Sequence, residues 1–194
     1  MYKAGSYRGR LLGPKATQLR RQQEIERIRT TARADISQFK GNELWLAGLM
    51  LYWAEGDKTG RVGLSNSDPH LIELMMRWFR ACCQVPEEKF RVYLHRHSGQ
   101  NDQAMKSFWQ GVTGLPLSQF GRSFVKQEGA GHRKKRLYYG TIKINVSNRN
   151  LLHRIHGWIE GYLTHFDGPL AQLAEHLTLN QGVDGSIPSR PTIL

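Results

Sequence analysis

The sequence predicts an α+β domain in which a small mixed sheet carries helices on one face. Three observations predict it. After residue 43, apolar side chains recur at helical spacing in four separated segments. Short alternating or β-branched segments stand between them. Each change of period is marked by Gly, Pro, Asn or Asp, the residues that stop one element and cap the next. The resulting order is α-β-α-β-α-β-β-α, and it leaves the sheet face opposite the helices open for a ligand.

Residues 1–14 hold Gly5, Gly9, Gly13 and Pro14 among Lys and Arg and read as an irregular basic arm. From 15 to 40, Leu19, Ile25 and Ile28 are the only large apolar side chains before Ile36. So thin a stripe suits an exposed helix or linker better than a core element. Residues 1–40 are therefore set apart from a domain over 41–166. That domain opens with a helix over 44–54, apolar at nearly every position, and a helix apolar all round is expected to be buried all round. Gly56 is its natural stop. A strand over 61–65 leads to Asp68 as N-cap and Pro69 at the first position of a second helix, which ends before Val85-Pro86. Residues 90–97 alternate, with Phe90, Val92 and Leu94 against Arg91, Tyr93, His95 and His97, the pattern of a half-buried strand. Asn101-Asp102 caps a third helix that ends at Gly114. A strand near 123–126, a Gly-rich basic loop over 129–136 and a stronger strand over 138–146 follow. Asn148 caps the last helix, over 151–165. Trp53, Trp78, Trp109 and Trp158 all fall on apolar helical faces and are expected in the core.

The 194 residues suffice for one domain with flanking sequence. With 39% apolar residues the chain can bury a core. Its formal charge of +12 favours a polyanionic partner, because Lys and Arg that neutralise phosphates release condensed counterions. The charge is concentrated. Residues 1–40 carry ten basic and three acidic side chains, and 118–149 carry eight basic residues against Glu128 alone. Cys82 and Cys83 are adjacent, so they form no disulfide framework and read as packing residues. No signal-peptide core or membrane-length apolar run is visible, so a cytoplasmic protein with no membrane association is expected.

Leu46-Ala47-Gly48-Leu49 and the closing Glu55-Gly56 resemble the signature helix of LAGLIDADG homing endonucleases. The stretch from Leu51 through Glu55-Gly56-Asp57 to Lys58, with Leu64-Ser65-Asn66-Ser67-Asp68-Pro69, is similar to a group of prokaryotic LAGLIDADG-like proteins. The resemblance covers about residues 43–166 and implies a single-motif LAGLIDADG-like mixed α/β domain on the αββαββα plan. Those proteins often place a helix-turn-helix ahead of this domain; residues 1–40 carry none, which suggests a truncated chain. The resemblance implies a homodimer on double-stranded DNA, with the sheet along the DNA. Its contacts would be Arg91, His95, Lys126, Lys143 and the loop Arg133-Lys134-Lys135-Arg136. It implies Glu55 as the metal-binding and catalytic carboxylate, Mg²⁺ as the cofactor of cleavage, and Lys143 or Arg136 helping at the phosphate.

The physics of such a site is coherent. Small residues such as Ala47 and Gly48 would let two copies of the helix approach. Two Glu55 carboxylates would then meet at the negative ends of two helix dipoles, and a divalent cation would relieve the repulsion. It could also activate water and stabilise charge on a cleaved phosphodiester. One feature departs from the family. Three residues separate LAGL from the acid in the nine-letter pattern, whereas five, Met50 to Ala54, do so here. The two extra positions turn the acid by roughly 200°.

Other residues have plainer readings. Glu55 could pair with Lys58 as a solvated helix-end carboxylate. Asp57 is a candidate second acid, with a turn residue the plainer reading. His95 and His97 share a strand face, but no Cys or third His stands at zinc spacing, so exposed or phosphate-contacting histidines suit the pattern better. Arg133–Arg136 beside Tyr138 and Tyr139 makes a basic-aromatic patch fit for backbone contact and stacking. Residues 167–194 read as an unstructured tail. Gly168 to His176 resembles the translated start and D-arm of a tRNA gene, Leu177 to Gln181 an anticodon arm, and Gly185 to Ser189 a T-arm. Such a tail suits a mobile element lodged beside a tRNA gene. The expected function is thus DNA binding of the homing-endonuclease type, with or without cleavage. A non-catalytic DNA-binding regulator on the same scaffold and a basic RNA-binding protein remain open.

Overall fold

The computed structural model describes residues 7–126 and 138–164, with side chains for 15–125 and 138–164. It has the predicted α+β architecture. Helix α1 spans Tyr7–Ala34, α2 Glu43–Glu55, α3 Pro69–Ala81 and α4 Asp102–Thr113; α5 covers 151–164. Strands β1 (Val62–Asn66), β2 (Phe90–His97), β3 (Phe124–Lys126) and β4 (Thr141–Val146) form one sheet in the order β1-β4-β2-β3. β4 pairs antiparallel with both β1 and β2, and β2 pairs parallel with β3. The consecutive strands β3 and β4 are therefore not neighbours. None of the described helices is long and apolar enough to cross a membrane.

The element boundaries follow from capping chemistry. Asn42 Oδ1 accepts from Trp45 N at 2.9 Å to open α2, and Asp68 Oδ1 accepts from His70 N at 2.9 Å ahead of Pro69 to open α3. Asn101 caps α4 through Ala104 N at 3.0 Å, and Asn148 caps α5 through Leu151 N at 3.1 Å. Gly114, at φ +71°, ends α4 in the left-handed conformation that glycine adopts without steric cost.

One face of the sheet carries Val62, Leu64, Phe90, Val92, Leu94, Ile142, Ile144 and Val146, all buried in a single core with the helices. Phe39, Trp45, Trp78 and Trp158 knit that core together. Trp45 lies 4.6 Å from Phe39 and 5.9 Å from Trp158, ring centre to ring centre, and Trp158 lies 6.3 Å from Trp78. Trp78 lies directly on the backbone of Gly48 and donates from Nε1 to Trp45 O at 3.1 Å. Gly48 thus brings α2 and α3 together inside one chain, rather than serving contact between two copies of α2.

Three expectations need correction. Helix α2 is not buried all round: Trp45, Gly48, Leu49 and Tyr52 are buried, while Leu46 and Trp53 stand 36% and 40% exposed on the outward side. Only a second layer could cover that side, and within one chain none of the described elements does, so Trp53 is not a core residue. Residues 7–14, expected to be irregular, continue α1, because extending an existing helix is far easier than starting one. From 15 onward the exposed helix holds rather than the linker, and it docks on α5. Ala32 is buried. A Cβ at Gly157 would lie 2.6 Å from Arg29 O, and one at Gly161 2.8 Å from Arg33 O, so these glycines let α5 meet the α1 backbone. Glu160 of α5 pairs with Arg29 at 3.4 Å and Arg33 at 3.1 Å.

Candidate nucleic-acid interface

Strand alternation sends every second side chain of the sheet away from the helices. On β2 these are Arg91, Tyr93, His95 and His97, and on β4 Thr141, Lys143 and Asn145, with Gly63 and Ser65 on β1. The register arranges them in rows. Arg91 faces Asn145, which faces Gly63. Tyr93 faces Lys143, which faces Ser65. Thr141 faces His95, which faces Phe124 on β3. Neighbouring strands lie about 5 Å apart, so each row spans roughly 10 Å. Apart from Gly63 and Asn145, these side chains are exposed or half-buried. The result is a polar, cationic and partly aromatic face.

Of the predicted contact residues, Arg91, His95 and Lys143 share this face. The Arg91 guanidinium folds back on carbonyl oxygens, donating from Nη1 to Glu88 O at 2.8 Å and Phe90 O at 2.6 Å. Lys126 stands opposite His97 in the β2–β3 register. Arg133, Lys134, Lys135 and Arg136 lie outside the described residues, as does the tail from 167 to 194.

The acid that reaches this face is Asp57, not Glu55. Asp57 Oδ2 sits 3.0 Å from Lys143 Nζ, both side chains about one third exposed. A Cβ on Gly63 would lie 3.2 Å from Asp57 Cγ and 2.8 Å from Asn145 Oδ1, so the glycine leaves room for both side chains. Two hydrogen bonds fix the turn. Asp57 N donates to Gly63 O at 2.8 Å, and the Tyr52 hydroxyl donates to Asp57 O at 2.8 Å. Burial pushes the Tyr52 phenol above its ordinary pKa, so it stays a donor. Asp57 is therefore a structural neighbour of the cationic row, where sequence alone suggested a turn.

Glu55 is exposed at the end of α2, and its carboxylate makes no hydrogen bond or ion pair with the described residues. The expected Glu55–Lys58 pair is absent. Lys58 instead donates to the last carbonyls of α2, Tyr52 O at 3.1 Å and Trp53 O, where a cation opposes the negative helix end. Among the described residues, no three His, Cys, Asp or Glu side chains gather as a group able to hold a metal.

Sequence reasoning missed the aromatic part of the face. Phe124 is 52% exposed, its ring stacked on His95 with centres 5.3 Å apart and 22° between planes. Tyr93 leans toward it at 6.1 Å. The alternation of β2 had already placed Tyr93 beside Arg91 and His95. Phe124 gave no such signal, because a strand of three residues shows no period. Compared with family models, curated proteins and solved structures, the chain finds no match.

Proposed function

We propose that this protein binds double-stranded DNA with the open face of its sheet. The observation that carries the reading is the ladder register that sets Arg91, His95 and Lys143 on one solvent-facing surface, in a chain of net charge +12. Lys and Arg on such a surface meet phosphates. The resemblance to LAGLIDADG proteins, which lay their sheet along DNA, points the same way. Fluorescence anisotropy with a labelled duplex tests it. Duplex binding that weakens steeply with salt, and by about tenfold or more in Arg91→Ala/Lys143→Ala, is expected. Preferential displacement by structured RNA would favour the RNA-binding alternative, and no binding at low salt would sink the reading.

The protein acts as a homodimer in this proposal. Leu46, Met50 and Trp53 recur at i, i+4 and i+7 along the outward side of α2, the spacing of a helix stripe that seeks a partner. A second copy of α2 is the partner that the resemblance suggests.

A catalytic version rests on one observation: Glu55 is exposed at the C-terminal end of α2, although at about 100° per residue it lies on the opposite side of that helix from the stripe. In one protomer it is a single carboxylate, and Asp57 is engaged by Lys143. One chain therefore offers Mg²⁺ one free carboxylate to take together with phosphate oxygens and water, and a second would have to come from Glu55 of the other protomer. The chemistry of the ion there would be water activation. Plasmid nicking in Mg²⁺ that disappears in Glu55→Gln separates this version from a DNA-binding regulator. Its absence in the wild type leaves the binding reading alone.

A further inference from the structure

We infer that the β2–β3 edge of the open face is a stacking platform for one unpaired base, so that the preferred ligand is duplex DNA carrying an extrahelical nucleotide. The inference rests on the DNA-binding reading and names its substrate class.

Single exposed apolar residues are ordinary. Phe124 is different because of its company. It stands on a polar, cationic sheet face, stacked on His95 and approached by Tyr93. As a residue it remains 52% exposed, on an edge strand. The neighbouring rings are held in place. A Cβ at Gly121 would lie 2.8 Å from Tyr93 Cδ1, so the missing side chain lets the tyrosine ring lie against the backbone there. Gly121 N in turn donates to Val92 O at 2.8 Å, fixing that segment to β2.

The aromatic surface is also confined. Across the sheet, the positions facing these rings are Thr141, Lys143 and Ser65, which suit a phosphodiester backbone and offer no second ring. The face thus divides into a backbone track over β4 and β1 and a platform at its rim large enough for one base. Every base has an apolar ring face, so a single platform selects for a base that is free to leave its stack rather than for a sequence. A paired base cannot reach it. The cost of extrusion is least where the base is already unpaired.

The test uses the full chain and two duplexes of the same sequence, one fully paired and one with a single unpaired 2-aminopurine. The bulged duplex should bind about tenfold more tightly, the gain of one base–aromatic stack. The 2-aminopurine emission should be quenched on binding. In Phe124→Ala the affinity ratio of bulged to paired duplex should fall to about one and the quenching should be lost, while Phe124→Tyr should restore both. Equal binding of the two duplexes by the wild type, without quenching, overturns the platform and leaves duplex binding intact. Failure to bind either duplex overturns both. Should Phe124→Ala not fold, the wild-type ratio and quenching still decide.

Discussion

At the scale of the residue, small side chains fix the molecule where large ones would be sought. Gly48 is an example. A Cβ there would sit 2.6 Å from Trp78 Cδ2, and Trp78 is fully buried among other aromatic rings with no room to retreat. Gly48→Ala is therefore expected to destabilise the fold by about 1–3 kcal/mol, the usual cost of overpacking, although alanine is the better helix former. Chemical denaturation checks it, and an unchanged or raised midpoint would contradict the assigned contact. Asp57 makes the opposite prediction. Its pair with Lys143 is part-exposed, so Asp57→Asn should cost only about 0–1 kcal/mol. The same change removes a negative charge from the proposed DNA-facing surface and releases Lys143. Duplex affinity should rise by about fivefold at low salt, an effect that fades as salt is added. The motif residues Leu46 to Leu49 and Glu55-Gly56 were easy to find in the sequence. Asp57 was read as a candidate acid but chiefly as a turn residue, because its role depends on a glycine six positions further on and on a lysine far along the chain. Neither relation has a local signature.

At the scale of the element, the capping residues Asp68, Asn101 and Asn148 made the order of helices and strands legible, and each caps a helix; Asn42, which caps α2, was not singled out in the sequence. The docking of α1 was not legible. A search for a wide apolar stripe misses a contact built from Ala32, Gly157, Gly161 and the ion pairs of Glu160. That contact should also be sensitive to pH. Burial lowers the pKa of His153 and His156 below the ordinary 6.5, and the Arg21 and Arg29 cations add to the shift at His153. At His156 the Arg29, His153 and Lys58 charges act the same way; Glu24 and Glu160 oppose the shift at the two sites. A histidine whose folded pKa is depressed binds fewer protons folded than unfolded. Stability therefore falls as pH drops below 6.5 and levels off once pH is below the folded values. Thermal melts between about pH 7.5 and about pH 5 should show the melting temperature falling in this window. His153→Gln/His156→Gln should flatten the response. A slope that persists unchanged in the double variant would assign it to other groups.

At the scale of the whole molecule, local sequence could not specify the sheet order. The pairing of β2 with β3 in parallel, and the insertion of β4 between β1 and β2, depend on how α3 and α4 carry the chain across the sheet. Periodicity says which face of β2 is buried, and it was right about that; it says nothing of which strand lies next to which. Yet the strand order is what sets Lys143 between Ser65 and Tyr93, in the middle of the charged face. This central position gives a joint test of the proposed ligand and the proposed dimer. Each phosphate contact on B-DNA contributes about 0.9 to the slope of log affinity against log salt. Lys143→Ala deletes one contact from a monomer on DNA but two from a symmetric dimer, because both copies carry the change. The slope should thus become shallower by about 1.8 if two protomers lie on the duplex with equivalent contacts, and by about 0.9 if one does. No change in slope would mean that Lys143 touches no phosphate, and the surface assigned to DNA would have to move elsewhere on the protein. A change near the dimer value that drops to the monomer value in Leu46→Lys/Trp53→Lys would tie the second copy to the outward stripe of α2.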